Sequence, residues 1–136
     1  MKKLKKLKFN VTRGINIKYR TYRVSFTNEL DLTTRANGKE YSINGTKITV
    51  CTEKISENKI LVGVMFLSPR DYHEGNYLED FAKFVAYHRI QKGKCVEIDI
   101  SKKESDETIH DYIKSAVLEL SKDTRWMQPV MTADLV

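Results

Sequence analysis

An unbroken apolar run, Leu61 to Leu67 (LVGVMFL), does most to decide what this chain can fold into. With Ile60 before it, it is too short for a membrane span and too uniform for a strand with one wet face. It reads as a central strand covered on both faces. Ser68-Pro69 ends it, and a polar loop follows, Arg70 to Gly75. A helix is expected to begin near Asn76. Asn76 and Glu79 have the spacing of a capping box, and Tyr77, Phe81, Phe84, Val85 and His88 follow helical spacing. Ala82 and Ala86 allow close approach, and Gly93 should mark the end. Strand, polar loop and helix N-terminus together form a common binding arrangement, because free N–H groups and the dipole's positive end favour an anion.

The remaining elements are weaker signals. Ile15, Ile17 and Tyr19 alternate with polar residues as in a half-buried strand, but Tyr22, Val24 and Phe26 continue one position out of step. Either a bulge near Arg20-Thr21 restores the phase, or the strand is buried on both sides there. Asn28 to Gly38 reads as a loop with an Asn37-Gly38 turn. A β-hairpin is expected with arms Tyr41–Ile43 and Thr46–Val50 around Asn44-Gly45. A charged turn, Glu53 to Lys59, leads into the apolar run. Cys95 to Ile100 predicts a strand with residues 96, 98 and 100 on one face. Ile109, Tyr112, Ile113, Ala116, Val117 and Leu120 form the stripe of a second helix. The tail, Thr124 to Val136, holds Trp126, Met127, Val130 and Met131 and is expected to dock on its own core or on another subunit. The order predicts one α+β domain over 1–136, with a mainly antiparallel sheet and two helices.

At 136 residues the chain is long enough for a single core. No apolar stretch approaches the ~20 residues of a membrane span, and the start has no apolar signal region. A cytoplasmic protein that does not enter the membrane is expected, with Cys51 and Cys95 as small buried residues rather than a disulfide. The net charge of +6 is wholly N-terminal. Residues 1–25 carry nine basic side chains, from Lys2 to Arg23, and no acidic one. Such asymmetry suits a phosphate-rich partner or an acidic surface, and equally a solvated basic segment that aids solubility. Met1 to Lys8 reads as a basic arm.

Catalytic signatures are missing. His73, His88 and His110 are scattered, the cysteines form no C-x-x-C pair, and there is neither a P-loop nor a G-x-G-x-x-G. An Asp71–His73 acid–base pair is more simply a solvated turn. No enzyme activity, cofactor or metal is expected. Binding is the better-supported reading. Arg70 in the loop and Lys83, Arg89, Lys92 and Lys94 on or after the helix supply cations, while Phe66, Tyr72 and Tyr87 offer stacking faces. The candidate ligand-binding set is Phe66, Arg70, Asn76, Tyr87 and Arg89. The plain alternatives are a core role for Phe66, a cap for Asn76, and a Glu79 ion pair for Lys83. Neither Arg70 nor Arg89 is expected to be held by a nearby acid.

The stretch Leu61 to Lys94, with its strand ending in Phe66, its Ser68-Pro69-Arg70-Asp71 and its helix closing at Arg89, resembles the phage-encoded Thoeris anti-defence sponge proteins. The resemblance covers about a quarter of the chain, and Leu67 stands where a cysteine is expected. It implies binding and sequestration, without cleavage, of a cyclic ADP-ribose-type signal, and in some members of cyclic oligonucleotides. Phe66, Arg70, Asn76 and Arg89 would then stack on the ligand, hold its phosphates and supply polar contacts. It also implies a homo-oligomer with sites between subunits. A nucleic-acid-binding or anti-CRISPR-like regulator working through Lys2–Arg23 is the alternative, and a phage structural protein that only assembles is a third reading.

Overall fold

The computed structural model describes residues 9–26, 32–100, 105–124 and 134–135. The apolar run forms β5 (Lys59–Phe66). It lies inside a five-stranded sheet in the order β6 (Val96–Asp99), β5, β4 (Lys47–Ser56), β1 (Ile17–Ser25) and β7 (Asp134–Leu135), every neighbouring pair antiparallel. A separate two-stranded sheet joins β2 (Thr33–Ala36) to β3 (Lys39–Ser42). Among the described residues three helices complete the α+β fold: a short α1 (Pro69–His73), then α2 (Glu79–Gln91) and α3 (Asp106–Ser121).

Strand β5 is covered on both faces, and its side chains divide between two cores. Val62 and Val64 pack with Ile48, Val50, Ile98, Ile113 and Val117 under α3. Met65 and Leu67 pack with Cys51, Ala82, Ala86 and Ile90 under α2. Gly63 lies where α2 crosses closest. An added Cβ would stand 2.7 Å from Ile90 Cγ1 and closer still to the Ala86 carbonyl oxygen, so only glycine allows this seating.

The same two-sided burial explains β1. Its pairing with β4 runs without interruption from Ile17↔Glu53 to Arg23↔Lys47, so no bulge is present at Arg20-Thr21. Ile17 and Tyr19 face the α2 core, whereas Tyr22 and Val24 face the α3 core. The shift in apolar phase is a change of covered face. Leu135 pairs with Val24 and is buried with it. Trp126, Met127, Val130, Met131 and the basic arm 1–8 lie outside the described residues.

Three local expectations are corrected. First, the hairpin turns at Asn37-Gly38, which joins β2 to β3 with φ of 53° and 77°. Both angles are positive, as a type I′ turn demands. The segment expected to be a loop therefore contains a strand. Asn44-Gly45 is instead a corner at which the chain leaves the small sheet for the large one. Only Gly45 has positive φ there, and its amide donates to the Val24 carbonyl at 2.7 Å. Second, α2 starts at Glu79 with Leu78 at the N-cap and no side-chain cap, so Asn76 and Glu79 form no capping box. The Asn76 amide donates to the Asp71 carbonyl at 2.9 Å and closes the loop behind α1. Third, Tyr112 of the α3 stripe is 37% exposed, while Ser121 is buried in its stead.

Candidate functional site

The polar loop after β5 is largely helical. Ser68 caps α1 by accepting from the Asp71 amide at 3.2 Å, and its hydroxyl donates to the Asp71 carboxylate at 3.1 Å. Pro69 fits the first turn because it has no N–H to leave unpaired. This single turn lies against the β2–β3 hairpin and is fastened to it by polar contacts. With the Asn37 amide oxygen facing Arg70, it accepts from Nη1 at 2.7 Å and Nη2 at 3.0 Å. Arg70 Nε donates to Glu74 at 3.2 Å, and the Tyr41 hydroxyl reaches the same carboxylate at 3.3 Å. His73 Nε2 donates to the Ser42 carbonyl at 2.8 Å.

Between hairpin and helix lies a cleft of about 490 Å³, lined by Thr34, Arg35, Ala36, Ser68, Pro69, Arg70 and Asp71. It holds two guanidinium groups. Arg35 faces Glu40 across the hairpin at 3.6 Å, an exposed pair of small energetic value. Arg70 has an acid four residues on, Glu74, which the sequence reading passed over. That contact and Asn37 fix its plane at the cleft wall. Three of its five N–H donors are used in this way, and the two that remain point apart, so Arg70 offers a ligand its charge and single hydrogen bonds rather than a bidentate fork.

The other candidates lie elsewhere. Phe66 follows Val62 and Val64 onto the α3 side and packs against that core. Tyr87 lies on the opposite face, where its hydroxyl donates to Glu53 at 3.3 Å. Partial desolvation, and then the Glu53 charge, push its phenol pKa up. A ligand cannot touch both rings, because the sheet separates them. Arg89 is half-buried near the far end of α2 and makes no ion pair among the described residues. Lys83 pairs with Glu79 at 3.0 Å and lies over the Tyr19 ring. Of the five candidates only Arg70 lines the cleft. Arg35 and Asn37 were missed, although the Asn37-Gly38 turn signal was visible and places Arg35 beside it.

Two further features bear on chemistry. Burial pushes the Cys51 thiol up to about 12, and the Cys95 thiol is raised by the same cause, so neither is an activated nucleophile. Among the described residues no three His, Cys, Asp or Glu side chains gather as a metal site would need, and no helix is long and apolar enough to cross a membrane. No family model matches the sequence, and neither a curated protein nor a solved structure matches it.

Proposed function

We propose that this protein binds a phosphate-bearing nucleotide of the cyclic ADP-ribose or cyclic oligonucleotide class in the cleft between the β2–β3 hairpin and α1. In this reading it holds the ligand without cleaving it, and so withdraws an anti-phage signal from its receptor. One observation carries the reading: Arg35 and Arg70 line one cleft of about 490 Å³. That volume is within the ~300–1,000 Å³ of typical small-molecule sites. The resemblance over Leu61 to Lys94 supplies the ligand class. Sequestration requires a dissociation constant below the signal concentration. In a homo-oligomer, Arg89 or Tyr87 of a neighbouring subunit could reach a cleft that its own chain does not bring to it.

The test is a thermal-shift series with cyclic nucleotides and ADP-ribose derivatives, followed by mass spectrometry of heat-released ligand. At one hundred times the dissociation constant, binding adds about 2.7 kcal/mol. At roughly 3–4 °C per kcal/mol this raises Tm on the order of 10 °C. The ligand should be recovered intact, and Arg35→Ala should abolish the shift without changing the fold. No shift with any of these ligands refutes the reading.

A second reading, a nucleic-acid-binding regulator, has its own support. Arg23 and Lys47 stand directly opposite each other in the β1/β4 register. Like charges so placed normally destabilise a sheet. They share a polar cleft with Thr21, Tyr77 and Glu79, where a phosphate would relieve the repulsion. Here binding to DNA or RNA would weaken steeply with salt, and Arg23→Gln with Lys47→Gln would flatten that slope.

A further inference from the structure

Four polar side chains are buried in the described core, and three have partners. Thr46 donates to the Ile43 carbonyl at 2.6 Å, Thr49 shares a hydrogen bond with the Tyr77 hydroxyl at 3.1 Å, and Ser121 donates to the Leu118 carbonyl at 2.6 Å. Thr52 is only 6% exposed, and its hydroxyl has no partner among the described residues. A buried hydroxyl in that state calls for an explanation.

Thr52 lines a cavity of about 270 Å³ on the α3 side of the sheet, which shares no residue with the hairpin cleft. Strand geometry gathers cations around it. Lys18 is its direct partner across the β1/β4 pairing, and Arg20 and Lys54 lie two residues along on the same face. None of the three is in an ion pair among the described residues. Arg20 is held in place by its hydrogen bond to His110 Nδ1 on α3. The apolar part of the lining includes Ile109 and Ile113 from α3, together with Ile60, the direct β5 partner of Lys54. Among the described residues Asp106 is the one acid lining the cavity, so three positive charges there face one negative.

We propose that this cavity is a second ligand site, for a small organic anion with an apolar body. The charged head lies against the Thr52 hydroxyl, Lys18, Arg20 and Lys54, and the hydrocarbon lies on the isoleucines. Cations alone would attract any anion. The buried hydroxyl and the isoleucine wall select one that is charged at one end and apolar at the other. At below the ~300 Å³ floor of drug-sized sites, the cavity suits a short-chain acid better than a nucleotide.

The experiment is isothermal titration calorimetry of the full chain with hexanoate, 1-hexanol and inorganic phosphate. Hexanoate is expected to bind at least tenfold more tightly than either control. Thr52→Val, which keeps the shape and removes the hydroxyl, should weaken hexanoate by about tenfold and leave Tm unchanged or raised. Lys18→Gln with Lys54→Gln should erase the preference for hexanoate over hexanol. The proposal is overturned if hexanoate does not bind, if phosphate binds as well as hexanoate, or if Thr52→Val leaves affinity unchanged. A Thr52→Val chain with lowered Tm would likewise overturn it, by assigning the hydroxyl a structural role.

Discussion

Replacing Gly63 with alanine tests the seating of α2 on the sheet. The added Cβ would stand 2.7 Å from Ile90 Cγ1, whereas ordinary contact begins near 3.4 Å. The Ile90 side chain can yield about 0.7 Å by rotating. The Ala86 carbonyl on the other side is helix backbone and cannot, so α2 must lift away from β5. Overpacking of this kind costs about 3 kcal/mol at its upper end. Restricting the unfolded chain offsets about 0.5–1 kcal/mol of that, leaving a net loss of about 2 kcal/mol. With a urea slope of about 2 kcal/mol/M, the unfolding midpoint should fall by about 1 M. Gly14→Ala is the control. Its new Cβ meets nothing nearer than Ile17 Cδ1 at 3.6 Å, so its midpoint should hold or rise slightly. Equal midpoints for Gly63→Ala and Gly14→Ala would refute the close crossing of α2 over β5.

Other outcomes follow from single groups. Desolvation, then the charges of Arg20 and Lys114, hold the His110 imidazole below its ordinary 6.5, against the opposing pull of Asp111. The unfolded chain therefore binds the proton first. Stability should be full above about pH 6.5 and decline as pH falls toward the folded value. Urea titrations across pH 4.5–8 should show this slope, and it should shrink in His110→Gln. With its pKa pushed up to about 12, Cys51 should resist a thiol reagent at pH 8 in the native chain and react fully only after denaturation. Equal native and denatured labelling rates would contradict its burial. Gly38→Ala places a side chain at φ +77° and should cost about 1 kcal/mol. Hydrogen exchange should localise that loss to the amides of β2 and β3.

Much of the architecture was written in short-range pattern. The run from Leu61 to Leu67 carries the mark of a central strand covered on both faces, and β5 over Lys59–Phe66 is such a strand. The 96, 98, 100 alternation and the Ile113–Ala116–Val117 stripe likewise met one core. Each signal is local, because period-2 and period-3.6 burial are properties of a few consecutive residues. Pairing was less legible. Asn37-Gly38 and Asn44-Gly45 are the same dipeptide, and only the site of each arm's hydrogen-bond partner separates a hairpin turn from a corner. Strand β4 has β1 and β5 on either side, which leaves no edge for the segment before Asn44.

The candidate site depended still more on the third dimension. Sequence placed Arg70 in a polar loop after a buried strand, which is where a cleft wall now lies. It could not show that Glu74 and Asn37 fix the guanidinium, nor that Arg35, on β2 with three strands between it and Arg70, completes the pair. Phe66 and Tyr87 were plausible together as stacking faces because a sequence carries no record of which side of a sheet a ring occupies. Composition by itself determined that the chain would build a core, and residue order alone put its excess positive charge near the N-terminus. Which cations meet, and which buried hydroxyl has no partner among the described residues, was decided by strand register and helix placement. Those are settled by packing between residues far apart in the chain, where no local pattern reaches.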